Sequence, residues 1–515
     1  MEKITSNLHR EEIKCGDRLQ FVVEEDKNIS DQSPDIIKIL MEEGEVSIEE
    51  ARPIKDGAEL RGKLKYYVLY LTNEGEQKLN KISGEISWEE KVRVEGMEPT
   101  DLIGVEKSIE DIKCSCINSR KMNIKALLCL EVQVKEIRDE EIITAIEQEQ
   151  LEQRQVPLLC SNLVLQRRES LRMKEEIELP DKFPAIEQLL WKSMTLNRWE
   201  VKPLEDRIVI QWECSVFILY KALSEQEEIK SYETKIKNSI NLECEGSHSG
   251  MTDCIIPKIK NWGIQVKEDR DGEDRILEAE MNFEPEIKLY EEVNIPVLTD
   301  VYGIQEEITP VFRPAVYGLL REKQQSRLKL NKNLRIPASF PPILQICHIH
   351  TGNICWEISE QKEENFVEGT VPLYILYMSE KEEEPFACLK EELSFQYKIE
   401  DKKEGEELSY EICALVQEVK ATILDQEEME IKCSLYLEVW PMEEGRREYV
   451  EGIERKELPA QKRNKMPGMV VYRATEEENI WEIGKRYYVS LESIRSVNQL
   501  ESDILCHGEK ILLIR

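Results

Sequence analysis

The sequence predicts a mainly β protein, in which three tandem β-rich repeat domains of sandwich or barrel-like size precede a small α+β module of βααβ order. Three observations lead to this prediction. Two sequence landmarks recur along the chain at matching offsets, and apolar residues alternate around them with a period of two. Over residues 468–515 the apolar residues change to helical spacing.

A proline and a tyrosine mark each repeat. The proline opens a short apolar run, and the tyrosine ends another run 36 positions later, in the pairs Pro34 and Tyr70, Pro184 and Tyr220, and Pro341 and Tyr377. Both landmarks shift by 150 residues from the first copy to the second and by 157 from the second to the third. Such paired offsets rarely arise by chance, and they predict repeats at 29–145, 176–303 and 335–441.

Two alternating rows predict core-facing strands in each repeat, because alternate side chains of a strand lie on one face. The first row ends at the landmark tyrosine and comprises Leu64, Tyr66, Val68 and Tyr70, then Cys214, Val216, Ile218 and Tyr220, then Val371, Leu373, Ile375 and Tyr377. The second row closes each repeat and comprises Ile124, Ala126, Leu128, Leu130 and Val132, then Leu277, Ala279, Met281 and Phe283, then Ile431, Cys433, Leu435, Leu437 and Val439.

The connecting segments differ from the repeats. Gly96 and Gly246 lie 150 residues apart, with Gly405 close to the equivalent third position, and they predict a shared turn with positive φ. Residues 148–154 and 319–325 are polar without alternation, which is compatible with short helices or with extended connectors. Residues 442–467 are predicted to be a flexible linker that leaves the last module mobile.

Composition excludes several function classes. The chain has 70 Lys and Arg against 104 Asp and Glu, a formal charge of −34, so general nucleic-acid binding is not expected. No run of eighteen apolar residues occurs and no apolar stretch follows the first lysine, so we expect no membrane insertion and a cytoplasmic location. The 14 cysteines are scattered as reduced packing residues would be, with no disulfide framework.

No catalytic or metal-binding arrangement stands out. Cys114 and Cys116 fall on alternating apolar places of a strand, which favours core packing. The group Cys347, His348, His350 and Cys355 is the best metal candidate, but Cys347 occupies a repeat position that is Leu40 in the first copy. Phosphate-binding loops, nucleophile elbows and zinc-protease helices are absent from the sequence. We therefore expect no enzyme activity, no cofactor and no metal, with a metal site as the alternative.

The C-terminal segment 468–515 has the pattern strand, helix, helix, strand. Asn479 and Ser490 are suited to cap the two helices. Each helix has an apolar face, formed by Ile480, Ile483 and Tyr487 and by Leu491, Ile494 and Val497.

This segment closely resembles a LysM domain in Tyr472, Ile480-Trp481-x-Ile483, Tyr488-Val489-Ser490, Asn498 and His507-Gly508-x-x-Ile511. The resemblance implies a shallow groove for N-acetylglucosamine polymers, which in this chain would comprise Glu477, Glu478, Asn479, Trp481, Leu500, Ser502, Asp503 and Ile504. The family usually has Gly-Asp-Thr where this chain has Glu477-Glu478-Asn479, which removes a small glycine from the groove. A protein-recognition surface is therefore favoured, and core packing is the alternative role for Trp481.

Three acidic β repeats followed by one LysM-like module resemble clostridial spore-coat morphogenetic proteins of the SipL and SpoVID type, built from SPOCS repeats. Leu298-Thr299-Asp300-Val301-Tyr302 resembles the Asp-x-Tyr closure of that repeat, and the other two copies lack it. The resemblance implies a non-enzymatic scaffold for coat assembly and encasement, located in the mother-cell cytoplasm at the forespore surface. Its expected partners are the basement-layer ATPase of the coat, through the LysM-like module, and other coat proteins. The alternative function is a peptidoglycan-binding protein of the cell wall or cortex.

Overall fold

The computed structural model describes residues 2–73, 78–148, 150–223, 228–362, 364–400, 408–457, 467–475 and 477–515. In these ranges the chain forms twenty-seven strands, and its two helices both lie in the C-terminal module. The predicted mainly β fold is therefore confirmed. Neither helix of the described residues is long and apolar enough to cross a bilayer.

The first repeat consists of two antiparallel sheets. Its strands are β1 Glu2–Asn28, β2 Lys38–Ile54, β3 Gly57–Leu71, β4 Leu79–Arg93, β5 Ile103–Asn118 and β6 Lys121–Glu147. One sheet has the order β2–β3–β4 and the other β1–β6–β5. Both predicted alternating rows are buried between these sheets in a single apolar cluster. The core therefore lies where the period of two places it.

The second repeat uses more and shorter strands. They are β7 Leu151–Arg168, β8 Leu171–Glu178, β9 Ile186–Leu204, β10 Arg207–Ala222, β11 Ile229–Glu243, β12 Thr252–Cys254, β13 Ile259–Glu268, β14 Asp274–Phe283 and β15 Glu286–Gly303. The sheets β9–β10–β11 and β8–β14–β13 enclose the core, and β7, β15 and β12 form a third sheet. The breaks between β7 and β8 and between β14 and β15 divide strands that are continuous in the first repeat.

The third repeat is built on one long strand. Its strands are β16 Glu306–Leu320, β17 Gln324–Arg335, β18 Ile343–Thr351, β19 Cys355–Gln361, β20 Glu364–Ser379, β21 Phe386–Lys398, β22 Leu408–Ile423 and β23 Glu428–Glu457. Strands β18, β19 and β21 all pair with β20, and β17 and β22 flank the first part of β23. Strand β16 pairs with the second part of β23, from Met442 to Glu457.

The two sequence landmarks are the two ends of one hydrogen bond. The hydroxyl of Tyr70 donates to the carbonyl of Pro34 over 3.1 Å. The same bond joins Tyr220 to Pro184 over 3.2 Å and Tyr377 to Pro341 over 2.9 Å. Because a buried hydroxyl is costly without a partner, the pair ties the first loop of each repeat to its central strand.

The shared glycine turn is also present. Gly96 has φ +86° and Gly246 has φ +81°, a conformation that most side chains avoid. Their amides donate to the carboxylates of Asp56 over 3.1 Å and Asp206 over 2.8 Å. Gly405 lies outside the described residues.

Each repeat extends beyond its predicted limits into a two-stranded arm. In the first repeat the arm is the part of β1 and β6 that pairs without β5. In the second repeat it is the pair β7 and β15, and in the third it is β16 with the end of β23. They bury a common apolar cluster that includes Leu8, Ile143, Leu298, Val301 and Val450. Strands β6, β8 and β23 run across the predicted boundaries at 145, 176 and 441, whereas β1 ends just before residue 29 and β17 ends at residue 335.

The arms decide between the two alternatives predicted for the polar connecting segments and correct the linker prediction. Residues 151–154 begin β7, residues 319–320 end β16 and residues 324–325 begin β17, so the extended alternative holds. Residues 442–457, predicted as linker, are strand, because they hydrogen-bond along β16. Residues 458–466 of that predicted linker lie outside the described residues.

The three repeats meet at a second shared cluster. The β3 residues that alternate with the core-facing row point away from the core of the first repeat. One of them, Leu69, packs with Leu219 of β10 and Leu376 of β20. These three leucines keep the offsets of 150 and 157, so the repeats contribute equivalent faces to one junction. Strand β4 lies beside β9, and β21 lies beside β2. The repeats therefore form one packed body.

The C-terminal module has the predicted order. It comprises β24 Met469–Arg473, β25 Glu478–Asn479, α1 Ile480–Tyr487, α2 Leu491–Asn498, β26 Ile504–Leu505 and β27 Lys510–Ile514. Asn479 accepts a bond from the Trp481 amide over 2.8 Å, and Ser490 accepts one from the Ser493 amide over 3.2 Å. The module has its own apolar core, although Val497, predicted on the inner face of α2, is partly exposed.

Candidate functional site

The two loops predicted to form a groove in the C-terminal module lie side by side. Strands β25 and β26 pair antiparallel, with Glu478 opposite Leu505 and Asn479 opposite Ile504. The amide of Ile480 also donates to the carbonyl of Asp503 over 2.9 Å. These backbone bonds hold the loop before α1 against the loop before β26, so the structure brings the predicted residues together.

Four of the eight predicted residues are exposed: Glu477, Ser502, Asp503 and Ile504. Ile504 is 56% exposed, which is unusual for a large apolar side chain in a structured loop. Leu500 is half-buried and packs against the module core. The exposed part of the groove is therefore an apolar tip with acidic neighbours.

Two of the predicted residues have structural roles instead. The Glu478 carboxylate accepts hydrogen bonds from the Tyr472 hydroxyl over 2.8 and 2.9 Å and from the Thr475 amide over 3.2 Å. Asn479 is the N-cap of α1. Both side chains are half-buried and fix the loop before α1. They support the groove without being free to bind a partner.

The second loop is fixed by an ion pair. Asp503 binds Arg495 of α2 through two bonds of 2.8 Å each. The Arg495 guanidinium lowers the pKa of the Asp503 carboxyl, so this group stays charged at neutral pH. The ion pair anchors the loop that carries Ile504 to α2.

Trp481 does not lie in the exposed groove, which corrects its predicted position. Its side chain is 4% exposed, and its ring lies edge-on to Tyr302 at 5.0 Å between centroids. The indole nitrogen donates to the Asp300 carboxylate over 2.8 Å. Because Trp481 packs against the second repeat, it is not available to stack on a ligand in this arrangement.

Trp481 is the centre of a contact between the module and the second repeat. Lys485 donates to both oxygens of Asp300 over 2.7 Å, and the Tyr302 hydroxyl donates to the Val489 carbonyl over 2.8 Å. A side chain at Gly484 would collide with that hydroxyl. The module therefore rests on the end of the β7–β15 arm, in contrast to the mobile arrangement that the linker prediction implied.

A third group at this contact is Glu152. Its carboxylate accepts a bond from the Leu491 amide over 3.3 Å, at the start of α2. Burial raises the pKa of the Glu152 carboxyl, and the Leu491 amide opposes that rise. No pattern in the sequence distinguishes Glu152, because it is one glutamate among many in an acidic chain.

The docking residues are specific to the second repeat. The buried pair Leu298 and Val301 corresponds in spacing to Ile143 and Ile146 and to Val450 and Ile453 in the other two arms. At the positions of Asp300 and Tyr302 the first arm then has Ala145 and Glu147, and the third has Gly452 and Glu454. Only the second arm offers this carboxylate and this aromatic ring, which agrees with the Asp-x-Tyr closure seen in the sequence.

The predicted metal candidates are dispersed. Cys347 packs at the junction of the repeats, as Leu40 does, and Cys355 is exposed on β19. His348 stacks on Phe217 with 3.5 Å between ring centroids. Within the described ranges, no group of three or more His, Cys, Asp and Glu is arranged to hold a metal ion.

The cysteines are free thiols throughout the chain. Cys114 lies in the core of the first repeat as predicted. Cys116 was also predicted to pack in the core, but it is exposed near the end of β5, where its thiol faces the Asn118 carbonyl.

Comparison with known proteins identifies two of the repeats. Residues 35–117 and 185–267 match the family model described as SipL, SPOCS domain. Both ends of the second match lie 150 residues after those of the first, which is the offset found from the proline and tyrosine landmarks. These two repeats thus have the signature of the SPOCS domain, and the match supports a SPOCS-type protein of sporulation. No curated protein and no solved structure gives a significant match.

Proposed function

We propose that this chain is a non-enzymatic scaffold of spore coat morphogenesis and encasement. Its LysM-like module docks on the basement-layer ATPase of the coat, at the forespore surface on the mother-cell side. The SPOCS repeats contact further coat proteins. The observation that carries the proposal is the pair of SPOCS matches at the repeat offset, which links the chain to sporulation.

The exposed loops of the module support a protein partner. Ile504 offers apolar area, Glu477 is an exposed carboxylate on the paired loop, and Asp503 and Arg495 form an ion pair next to Ile504. An apolar centre with a charged rim is the common anatomy of a protein interface. A partner for this surface would place an apolar pocket over Ile504 and a cation beside Glu477.

Peptidoglycan binding is the weaker candidate. A sugar groove needs close backbone approach, and Glu477-Glu478-Asn479 replaces the small residue expected there. The one tryptophan of the predicted groove is engaged with Tyr302 and Asp300. The geometry therefore gives a sugar ring no aromatic platform at this position.

The packed arrangement of the repeats suits a scaffold. Several weak sites on one body gain avidity when the partner is a polymerised surface. The module is held on one arm of that body, so its exposed loops keep a defined direction relative to the repeats. In this function the module anchors the chain to the ATPase, and the repeats recruit other coat proteins.

The test replaces Ile504 with Asp in the full chain and follows its location in sporulating cells. We expect loss of enrichment at the forespore and loss of the ATPase from affinity captures, because a carboxylate cannot enter an apolar pocket without a large desolvation cost. Val471→Asp is the matched control, since Val471 is an exposed apolar residue of the same module.

Two outcomes would contradict the proposal. One is normal forespore location of the Ile504→Asp chain together with normal capture of the ATPase. The other is strong retention of the unaltered chain on insoluble peptidoglycan, with retention lost in the Ile504→Asp variant, which would favour the sugar-binding alternative.

A further inference from the structure

Strand β19 of the third repeat is exposed where its counterpart in the second repeat is covered. Trp356 of β19 and Trp199 of β9 occupy equivalent positions, 157 residues apart. Trp199 is 2% exposed and donates its indole N–H to the Ile255 carbonyl over 3.1 Å. Trp356 is 41% exposed, and Ile358, the next residue on the same face, is 40% exposed. The same strand position is thus core in one repeat and surface in another.

The cause is a break in the strand. Strands β2 and β9 run without interruption through this region, whereas the third repeat has separate strands β18 and β19. The amide of Gly352, in the break, donates to the Pro372 carbonyl over 2.9 Å. Beyond the break, β19 no longer packs as part of a closed sandwich, and all but one of its seven residues are exposed.

One edge of β19 has no strand partner in the described part of the chain. The strand pairs with β20 from Cys355 opposite Thr370 to Gln361 opposite Glu364, without a bulge. It contains no proline and no lysine, the residues that commonly protect exposed edges. An unprotected edge presents a row of free backbone donors and acceptors to an incoming strand.

Clefts border this edge on two sides. A cleft of about 400 Å³ separates Trp356 from Tyr410 and Ile412 of β22. Four lysines also line this cleft, so the apolar side chains of an added strand, and not its cations, would face it: Lys107, Lys135, Lys258 and Lys288. A second cleft of about 660 Å³ lies over β20 and β21, with Phe395 at its floor. Side chains of an added strand would therefore find apolar contacts next to Trp356.

The charges at the edge select the partner. Glu357 of β19 lies directly opposite Glu368 of β20, and like charges in this position destabilise a sheet. The Glu368 carboxylate accepts hydrogen bonds from the amides of Gln361 and Gln396. Neither glutamate has an ion-pair partner among the residues that the structure describes. A bound cation would relieve this repulsion.

The same charges disfavour a second copy of the chain as the occupant. In the antiparallel register that sets Glu357 of one copy opposite Glu360 of the other, two β19 strands would bring carboxylates together. A chain with a formal charge of −34 also repels its own copies at low salt. A basic partner avoids both costs.

We propose that β19 is a docking strand for an extended, cationic segment of another protein. The segment adds to the free edge by backbone hydrogen bonds, places apolar side chains beside Trp356 and Ile358, and places lysine or arginine side chains at Glu357 and Glu368. This site is on the third repeat and does not depend on the groove of the C-terminal module.

The test measures binding of a fluorescent peptide of alternating lysine and valine to the full chain by anisotropy. We expect saturable binding that weakens with salt, and no binding of the matched glutamate–valine peptide. Trp356→Ala combined with Ile358→Ala should weaken binding about tenfold, since both side chains lose their contacts. Glu357→Gln combined with Glu368→Gln should remove most of the salt dependence.

Phe312→Ala is the control, because Phe312 is an exposed aromatic residue on β16 of the same repeat. The proposal is overturned if the lysine–valine peptide does not bind at millimolar concentration, or if it binds the Trp356→Ala and Ile358→Ala chain as well as the control. It is also overturned if the unaltered chain dimerises and these substitutions abolish the dimer, since the occupant would then be a second copy.

Discussion

At the scale of single residues, His348 is a buried titratable group at the junction of the repeats. It stacks on Phe217, and its Nε2 lies 3.3 Å from the Ser193 hydroxyl. Burial, with His350 nearby, lowers the pKa of His348 well below its usual value, so the ring is neutral in the folded chain. Glu43 faces His350 over 3.5 Å, and burial raises the pKa of the Glu43 carboxyl.

We predict that acid weakens this junction. The unfolded chain binds a proton at His348 below pH 6.5, and the folded chain does not, so the free energy of unfolding falls as the pH drops below 6.5. The slope is about 1.4 kcal/mol per pH unit for one proton. Denaturant titrations between pH 7.5 and pH 5.5 measure it.

His348→Phe keeps the stacking and removes the titration, so it should flatten the pH dependence. His9→Phe is the control, because His9 is half-exposed and lies away from the junction. Equal slopes for the two variants would show that His348 does not carry the effect. Glu43 acts in the opposite direction, since a raised carboxyl pKa favours the folded state as the pH falls.

At the scale of elements, sequence alternation identified the strands that have one buried face. Every residue of both predicted rows is buried in the core of its own repeat. The arms were not predicted from the sequence because their buried residues do not alternate along the strand. In the end of β23, Tyr449 and Val450 are adjacent buried residues in an otherwise charged stretch, since the arm packs into the shared cluster at only a few points.

We predict that the end of β23 is essential to the fold and is not a tether. A chain that ends at residue 440 loses every residue that pairs with strand β16 and the contribution of Val450 to the shared arm cluster. A chain that ends at residue 457 keeps both. The shorter chain should unfold at least several degrees lower in thermal melts, because removal of one buried apolar side chain alone costs about 2–5 kcal/mol.

The chain that ends at residue 457 is the control for loss of the C-terminal module. If the two truncated chains melt at the same temperature, residues 442–457 behave as a linker in solution.

At the scale of the whole molecule, the three repeats contribute equivalent residues to one contact and differ in another. Leu69, Leu219 and Leu376 converge on one junction, whereas only the second arm receives the C-terminal module. The module contact consists largely of polar bonds to Asp300 and Tyr302 next to one buried tryptophan. A contact of this kind orients the module while leaving its own core independent.

We predict that Asp300→Ala releases the module from the second repeat. The change removes the acceptor of the Trp481 indole and of Lys485, and it leaves a partly buried ammonium group unpaired. A hydrogen bond to a charged group contributes about 1.5–3 kcal/mol, so the released fraction should rise at least tenfold. Hydrogen exchange of α1 and protease cleavage before residue 467 measure the release.

Asp503→Ala is the control, since Asp503 forms its ion pair within the module. Release in both variants alike, or in neither, would contradict a specific role for Asp300.

The sequence by itself determined the number of repeats, the strands that face each core, the βααβ order of the module and the Asp-x-Tyr closure of the second repeat. These are local or periodic properties, because a core-facing strand, a helix cap or a turn is encoded by residues close together in the chain. Tertiary structure alone decided that Trp481 lies on Tyr302, that the three repeats share a junction, and that Trp356 is exposed while its counterpart Trp199 is buried. Each of these contacts depends on which surfaces meet, and the residues involved are more than a hundred positions apart in the chain. No local pattern distinguishes an apolar side chain that packs in its own repeat from one that packs against another repeat.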